Sequence, residues 1–329
     1  MEIGSFIELQ LRKGSEWYDQ TTDIARLNTA RQGIWHAFRV TRCKRIWIPI
    51  YQCDSIRETF EKHGVEMKFY HQDRNFNPTD IEATENDAVL LCNYYGIMSA
   101  ERMRFLARTF AHPIIDCAQA FFCKPLEGAL NVYSCRKFVG APDGAYVVGK
   151  DAHLFVEEYP QCYSSDTAAF LLMRIEYGCE GRGYEARGLN ENRIDHENCM
   201  KMSKLTRALM DAEDYAYNIR KRKENFAYAH ELLGGINRID PTMYMDDETV
   251  PMVYPLVVEE DACIRRLFEA KHFQGHWWSY ICGEQPENSF EHWISRYVIP
   301  ITIDQRYGKE EIDYLVNVIR KRQTDSESE

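Results

Sequence analysis

The chain has 329 residues, of which 45% are hydrophobic and 28% charged, a composition typical of a folded protein with a large core. Its 40 basic and 51 acidic side chains give a net charge of −11, so neither nucleic acid nor an anionic membrane surface is an expected partner. The eleven cysteines form no Cys-x-x-Cys pair, which predicts reduced thiols and a cytoplasmic protein. No segment is apolar for the roughly 20 residues that cross a bilayer, and residues 1–8 carry no secretory-signal pattern.

Short apolar runs alternate with amphipathic stretches across residues 45–149. Helical spacing of apolar residues predicts helices over residues 55–63 and 100–110. The apolar runs predict strands over residues 45–49, 66–70, 88–92 and 113–116. This alternation predicts right-handed crossovers and a mostly parallel, buried sheet, so the predicted fold class is α/β.

The pattern changes in the next segment of the chain. Residues 166–177 predict a helix whose side chains Phe170, Leu171 and Ile175 point inward. Residues 180–196 are rich in Gly, Arg, Asn and Glu and have no apolar period. They therefore predict a long mobile loop.

The last third of the chain has the composition of a smaller α+β unit. Residues 201–233 predict a long helical stretch, either continuous or with one interruption, and the polar tail at residues 324–329 predicts a frayed chain end. Further elements are predicted over residues 253–258, 261–271 and 309–322. We therefore expect a large α/β domain over residues 1–200 and a small C-terminal α+β domain over residues 201–329.

Two charged residues follow neighbouring predicted strands. Asp116 ends one strand, and Lys137 lies in a glycine-flanked turn 21 residues later, three residues after Ser134. Ligands of α/β sheets bind outside the carboxyl ends of the strands, so both side chains can reach one crevice. Pyridoxal phosphate (PLP) needs such a pair, because a lysine binds its aldehyde and a carboxylate keeps its ring nitrogen protonated. Each residue alone is more often a turn former or a solvated charge; only the combination, with Ser134 for the phosphate, indicates a cofactor.

These residues belong to a set of motifs with a known counterpart. Residues 116–120 (DCAQA), the Ser134–Lys137 pair and the turn at residues 140–144 (GAPDG) resemble the fold-type-I PLP enzymes. More narrowly, they resemble the DegT/DnrJ/EryC1/StrS family of nucleotide-sugar aminotransferases. Three further segments carry the resemblance, namely residues 28–31 (NTAR), 93–96 (NYYG) and 299–308 (IPITIDQRYG).

The resemblance implies a large, mostly parallel sheet domain with a smaller C-terminal domain, and a homodimer that builds each cofactor pocket at the subunit interface. It also implies roles for individual residues. Lys137 would hold the cofactor covalently and move a proton, Asp116 would pair with the ring nitrogen, and Gln119 would lie near the phenolic oxygen. The phosphate would bind at a helix N-terminus, to Thr29, Ala30 and Ser134.

The chain departs from the family pattern at two positions. The residue that stacks on the cofactor ring in many members, four positions after Pro49, is Cys53 here. Tyr51 or Tyr95 could provide that contact instead, or a thiol and aliphatic atoms could cover the ring. The asparagine that reaches the neighbouring subunit's phosphate in many members corresponds to Cys199.

The function that the resemblance implies is amino transfer in two stages. An amino donor such as glutamate would load the cofactor, and a keto-sugar nucleotide would then accept the amino group, in polysaccharide or surface-glycan biosynthesis. Lys137 favours this reaction, because family members that dehydrate their substrate carry histidine there. Two alternatives stay open: a PLP-binding regulatory or structural protein of the same fold, and a PLP enzyme acting on an amino acid.

Three other features have both a binding and a structural interpretation. Trp277 and Trp278 could stack on a base or sugar, but packing is the more common role of such residues. His272 and His276 have helical spacing, but no further ligand motif accompanies them, so we expect no metal. Three basic side chains could bind a substrate diphosphate or carboxylate, namely Arg182, Arg187 and Arg193. The alternative is that they are solvated charges on a loop.

Overall fold

The computed structural model describes residues 3–21 and 23–321, so the tail at residues 324–329 lies outside the described residues. Ten strands lie in these ranges: β1 (Ile24–Leu27), β2 (Arg45–Pro49), β3 (Glu66–Gln72), β4 (Pro78–Thr79), β5 (Asp87–Cys92), β6 (His112–Cys117), β7 (Leu130–Ser134), β8 (Ala145–Val148), β9 (Val253–Val257) and β10 (Val298–Thr302). The α-helices of the same ranges are α1 (Ala30–Thr41), α2 (Asp54–Lys62), α3 (Ala100–Ala107), α4 (Ala169–Tyr177), α5 (Arg182–His196), α6 (Lys204–Ala212), α7 (Tyr215–Leu233), α8 (Asp261–Glu269), α9 (Ile281–Glu284), α10 (Phe290–Tyr297) and α11 (Lys309–Arg320).

Eight strands form one sheet in the order β1-β8-β7-β6-β5-β2-β3-β4. The run from β7 to β3 is parallel, whereas the pairs β1–β8, β7–β8 and β3–β4 are antiparallel. The α/β class and the mostly parallel sheet are therefore confirmed, and the four predicted strands are β2, β3, β5 and β6. After β2, the chain adds β3 on one side of β2 and later places β5 on the opposite side of β2. A ligand crevice is therefore expected at the carboxyl ends of β2 and β5.

Helix α1 packs closely on β7 and β8. Thr29 begins the helix as its N-cap, where its hydroxyl accepts the backbone N–H of Gln32 at 3.3 Å. Gly33 faces the sheet, and a Cβ atom there would lie 2.8 Å from Cγ1 of Val132. The apolar side of the helix, with the spacing that buries one face, consists of Ile34, Ala37 and Phe38.

The segment predicted as a mobile loop is a helix, so that prediction is wrong. Helix α5 covers Arg182–His196, and its buried residues are Gly183, Asn190 and Ile194. Its sequence has no apolar period because most of the helix surface faces solvent. Asn190 instead anchors it by donating to the carbonyl oxygen of Pro142 at 2.8 Å.

Helix α4 packs against α5, and the two form the α4–α5 hairpin (residues 169–196). The helix predicted near residues 166–177 is confirmed, but the inward orientation is wrong for Ile175, which is 82% exposed. Phe170 and Leu171 are half-buried, and Leu171 lies against the turn at Gly140. Part of the apolar spacing of α4 therefore falls on a surface that faces solvent.

The C-terminal elements share a core with the large sheet. The long helical stretch is interrupted once, between α6 and α7, and β9 and β10 form a two-stranded antiparallel sheet. One hydrophobic cluster continues from Leu91 and Ile115 of the large sheet to Leu256 and Ile301 of the small one. The domain boundary near residue 200 stays a prediction. No helix in the described ranges is both long and apolar enough to cross a membrane.

A buried histidine ties α1 to the chain after β8. His36 is 0% exposed, and its Nε2 lies 2.8 Å from the carbonyl oxygen of Ala152. Because a carbonyl only accepts, Nε2 carries the proton and Nδ1 accepts the Tyr159 hydroxyl at 3.0 Å. Burial lowers the pKa of His36 to about 4.

This histidine should make the protein sensitive to acid. The unfolded chain takes up a proton near pH 6.5 but the folded chain only near pH 4, so stability falls as the pH decreases between these values. His36 should contribute about 3 kcal/mol to that loss at pH 4. Denaturant unfolding of His36→Gln should show a smaller slope of unfolding free energy against pH. The same change at exposed His196 is the control, and equal slopes for all three proteins would contradict the assignment.

The turn after β5 depends on a glycine. Gly96 has a φ of +72°, and a Cβ atom there would clash with the backbone carbonyl oxygen of Gln119 and lie 3.0 Å from the backbone nitrogen of Met252. Both neighbours are backbone atoms, so they have little freedom to move away. The turn therefore requires glycine for its backbone conformation and for the close approach of two other segments.

We expect Gly96→Ala to destabilise the protein by more than the cost of its backbone conformation. Gly128→Ala is the matched control, because Gly128 has a φ of +80° with open space around it. The control should lose about 1–2 kcal/mol of unfolding free energy from the left-handed backbone alone. Urea unfolding should show a larger loss of unfolding free energy for Gly96→Ala than for Gly128→Ala. Equal losses would mean that the backbone around Gly96 moves aside at no cost.

Candidate active site

Asp116 lies near the carboxyl ends of three adjacent strands. It is 5% exposed, and it pairs in register with Cys92 of β5. Its Oδ1 accepts the backbone N–H of Ala118 at 2.8 Å, and its Oδ2 accepts Nε2 of Gln52 at 3.1 Å and Sγ of Cys92 at 3.3 Å. These donors offset the cost of burying the carboxylate.

Gln52 and Cys92 were not identified from the sequence as site residues. Both lie where a parallel strand ends, after β2 and at the end of β5. The signal that could have found them is this position, because the carboxyl ends of parallel strands share one edge of the sheet. Gln52 also accepts the backbone N–H of Cys53 at 2.8 Å, which fixes the orientation of its amide.

Lys137 lies in the turn after β7 with an exposed side chain. No hydrogen bond or ion pair ties its amine to another described residue. Burial and the Asp116 carboxylate raise the pKa of the Cys92 thiol, and the positive charge of Lys137 acts in the opposite direction. Because β6 and β7 are parallel neighbours, Asp116 at the end of β6 and the turn that carries Lys137 after β7 lie at the same edge of the sheet.

Gln119 and Tyr95 are joined directly. The Oε1 of Gln119 accepts the backbone N–H of Tyr95 at 2.6 Å. The Tyr95 hydroxyl bonds to that of Tyr51 at 2.6 Å, both tyrosines are 0% exposed, and the Tyr95 ring stacks on Trp277 with centroids 5.6 Å apart. The two tyrosines considered for stacking on a cofactor therefore present no exposed ring face.

Cys53 lies at the mouth of the crevice. It is half-buried at the N-terminus of α2, and its Sγ lies 3.1 Å from the hydroxyl of Ser55. The aromatic residues nearby pack on one another, since Trp278 meets the edge of Tyr51 at a centroid distance of 4.6 Å. These contacts therefore support a packing role for Trp277 and Trp278.

The predicted phosphate residues lie on backbone segments that hydrogen-bond to one another. Thr29 is buried, and the first N–H groups of α1, including that of Ala30, have no carbonyl partner within the helix. Ser134 is buried at the end of β7. The backbone N–H of Gly144, in the turn after Lys137, donates to the carbonyl oxygen of Asn28 at 2.5 Å.

A buried arginine connects the Lys137 turn to the C-terminal elements. Gln305 donates to the carbonyl oxygen of Phe138 at 2.8 Å and accepts Nε of Arg222 at 3.0 Å. Arg222 is 2% exposed, lies 4.5 Å from the centroid of the Phe138 ring, and donates to the carbonyl oxygen of Met252 at 2.9 Å. Burial lowers the pKa of Arg222 to about 10, so the side chain stays charged at neutral pH.

The remaining candidate groups do not form one cluster. The three arginines of α5 have separate neighbours, namely the Tyr177 ring for Arg182, Glu191 at 3.8 Å for Arg187, and Glu197 at 2.7 Å for Arg193. Nor do the described residues contain three or more His, Cys, Asp or Glu side chains placed to hold a metal ion.

No family model and no curated protein sequence matches the chain. Solved structures do match it over nearly its whole length. Sugar aminotransferase CalS13 from Micromonospora echinospora is 17% identical, with 91% of this chain and 87% of that chain covered and a TM-score of 0.63. A DegT DnrJ EryC1 StrS aminotransferase from Brucella abortus is 12% identical, with 92% of this chain and 86% of that chain covered and a TM-score of 0.62. The PLP-form of putative sugar aminotransferase Spr1654 from Streptococcus pneumoniae is 14% identical, with 92% of this chain and 87% of that chain covered and a TM-score of 0.63. The chain therefore has the fold of these aminotransferases.

Proposed function

We propose that the chain is a PLP-dependent aminotransferase of the DegT/DnrJ/EryC1/StrS family. It would transfer an amino group from glutamate or a similar donor to a keto-sugar nucleotide in polysaccharide or surface-glycan biosynthesis. The observation that supports the proposal is that Asp116 ends β6 and Lys137 follows β7, two parallel strands that are neighbours in the sheet. The structural neighbours support it, since they include PLP-form and PMP-form sugar aminotransferases and DesI in the presence of its TDP-sugar product.

The residues at the sheet edge fit pyridoxal 5′-phosphate, which supplies an electron sink when it is bound. Asp116 would pair with the ring nitrogen and keep it protonated, because a carboxylate beside a pyridine nitrogen favours its protonated form. The exposed amine of Lys137 would attach the cofactor and then carry a proton at the reacting carbon. The phosphate and the phenolic oxygen would be held by Thr29, Ala30, Ser134 and Gln119.

The first experiment tests the attachment residue. Purified protein supplied with PLP should develop an absorbance band at the edge of the visible range, and Lys137→Ala should abolish the band and the activity because the amine is lost. Lys150→Ala, in another exposed turn, is the matched control and should keep both. A band that survives in Lys137→Ala would contradict the assignment.

The same spectrum separates amino transfer from the alternatives. Glutamate should convert the bound cofactor to its amino form and remove the band, and a keto-sugar nucleotide should restore it. A band that does not respond to any amino donor would favour a PLP-binding regulatory or structural protein. Restoration by keto acids but not by keto-sugar nucleotides would favour an enzyme acting on amino acids.

We further propose that the protein forms a homodimer through the α4–α5 hairpin and works in the cytoplasm, where its eleven free thiols stay reduced. The hairpin carries five exposed apolar side chains, namely Leu172, Ile175, Tyr177, Tyr184 and Leu189. Removing such side chains from water is the main driving force of protein association, and exposed apolar patches often mark protein interfaces.

A charge on this surface should prevent dimer formation. Ile175→Asp would replace the most exposed of these apolar side chains with a carboxylate, which association would have to remove from water. Sedimentation should show monomers for this variant and dimers for the parent protein. Phe105→Asp, which changes a 47%-exposed residue of α3, is the control and should remain dimeric. A dimeric Ile175→Asp protein would exclude this interface.

A further inference from the structure

A second cavity lies between the α4–α5 hairpin and the C-terminal elements. Its volume is about 310 Å³, which suits a small ligand. Four basic side chains line it from four separate parts of the fold: Arg174 on α4, Arg187 on α5, Lys271 after α8, and Arg306 before α11. The one carboxylate in its lining is that of Glu311, which caps α11 by accepting the backbone N–H of Gly308 at 2.8 Å.

The basic side chains are only partly neutralised. Arg174 forms no ion pair with another described residue. The pairs made by the other three are Lys271–Glu180 at 2.9 Å, Arg187–Glu191 at 3.8 Å and Arg306–Asp304 at 2.7 Å. The first two pairs are exposed and therefore weak. An anion in the cavity could therefore bind the unpaired guanidinium of Arg174 and the weakly paired side chains of Lys271 and Arg187.

The cavity also contains a buried hydrogen-bond donor without a partner. His272 lines the cavity and is 7% exposed, and its Nε2 lies 3.4 Å from the backbone nitrogen and 3.2 Å from the hydroxyl oxygen of Thr302. Because a backbone N–H only donates, Nε2 accepts that hydrogen bond, and the proton of the neutral ring is then on Nδ1. Burial lowers the pKa of His272 to about 4, so the ring is neutral at physiological pH. No described atom accepts a hydrogen bond from Nδ1, although buried donors are usually satisfied.

We propose that this cavity binds the phosphoryl group of a small metabolite. A phosphoryl group offers three oxygens and close to two negative charges, which match the guanidinium and ammonium donors of the lining. The carbon part of such a ligand would contact the aromatic lining, Phe273 and Tyr314. The inference is independent of the proposed amino transfer.

The site is distinct from the predicted phosphate position at α1 but connected to Lys137. Arg306 follows Gln305, whose amide donates to the carbonyl oxygen of Phe138 beside Lys137. On the other side, Leu171 of α4 lies 3.8 Å from the position that a Cβ atom would take at Gly140 in the Lys137 turn. A ligand that joins the hairpin to the C-terminal elements would thus act on this turn indirectly, through Gln305 on one side and Leu171 on the other.

Calorimetric titration of the full-length protein with inorganic phosphate tests the proposal. The titration should be run without PLP and again with one equivalent of PLP, because an excess of PLP would compete for the cavity through its own phosphoryl group. Arg174→Gln combined with Arg187→Gln should weaken phosphate binding at least tenfold. Arg182→Gln, on the same hairpin but outside the cavity lining, should leave it unchanged. A parallel titration with pyrophosphate distinguishes a diphosphate ligand, which would bind more tightly, from a monophosphate.

Two further readouts keep the test decisive. Imidazole ¹⁵N spectra should show the Nδ1–H tautomer of His272, with a signal that shifts when phosphate is added. Phosphate binding that is unaffected by the double substitution but lost in Ser134→Ala would place the anion at α1 and overturn the proposal, as would no binding at millimolar phosphate. These results do not depend on Lys137 or on turnover, so a failure here and a failure of the amino-transfer proposal can be told apart.

Discussion

The buried carboxylate of Asp116 is the constraint on which the geometry of the site depends. An ionised carboxylate without partners in a protein interior would cost several kcal/mol, so donors have to meet it where β6 ends. They come from Gln52 after β2, from Cys92 at the end of β5 and from the backbone of Ala118. Because β5 lies between β2 and β6, Gln52 reaches Asp116 only if the three strands end at the same level. The hydrogen bonds of one carboxylate thus fix both the crevice and the alignment of the strand ends that form it.

A second buried charge connects this crevice to the last third of the chain. No carboxylate of the described residues hydrogen-bonds to Arg222. Its guanidinium is held by the amide of Gln305, the carbonyl of Met252 and the ring of Phe138. Neutral dipoles and a π face compensate part of the lost hydration, and the lowered pKa reflects the part that remains. The backbone N–H of Met252 also donates to the carbonyl oxygen of Tyr95 at 2.8 Å. The C-terminal elements therefore help to hold the segments on both sides of the crevice, which fits the hydrophobic core that they share with the large sheet.

Local patterns predicted the parts of the site that local structure determines. Asp116 at a strand end, Lys137 in a glycine turn and Thr29 at a helix start each leave a signature within a few residues, and the structure places them on elements of those kinds. Periodicity failed for α5, because periodicity reports burial and most of α5 is exposed. Spacing drew attention to Cys53, whereas its neighbour Gln52 contacts Asp116. Which of two adjacent side chains turns inward after a strand depends on a backbone conformation that the residue types do not specify.

The α4–α5 hairpin has few buried residues, yet it borders the Lys137 turn, the proposed interface and the second cavity. Its base lies beside Gly140 in the Lys137 turn, its outer face is apolar, and two of its arginines line the second cavity. Polar contacts hold it, among them Asn190 with Pro142 and an ion pair between Arg136 and Glu191. Such contacts stabilise less than a packed core, so the position of the hairpin is easier to shift than that of the sheet. An anion bound between Arg187 and Lys271 would restrain the hairpin and, through Leu171, the turn that carries Lys137. If the anion strengthens binding of a ligand that orders this turn from the crevice, that ligand strengthens binding of the anion by the same factor, because coupling between two binding sites is reciprocal.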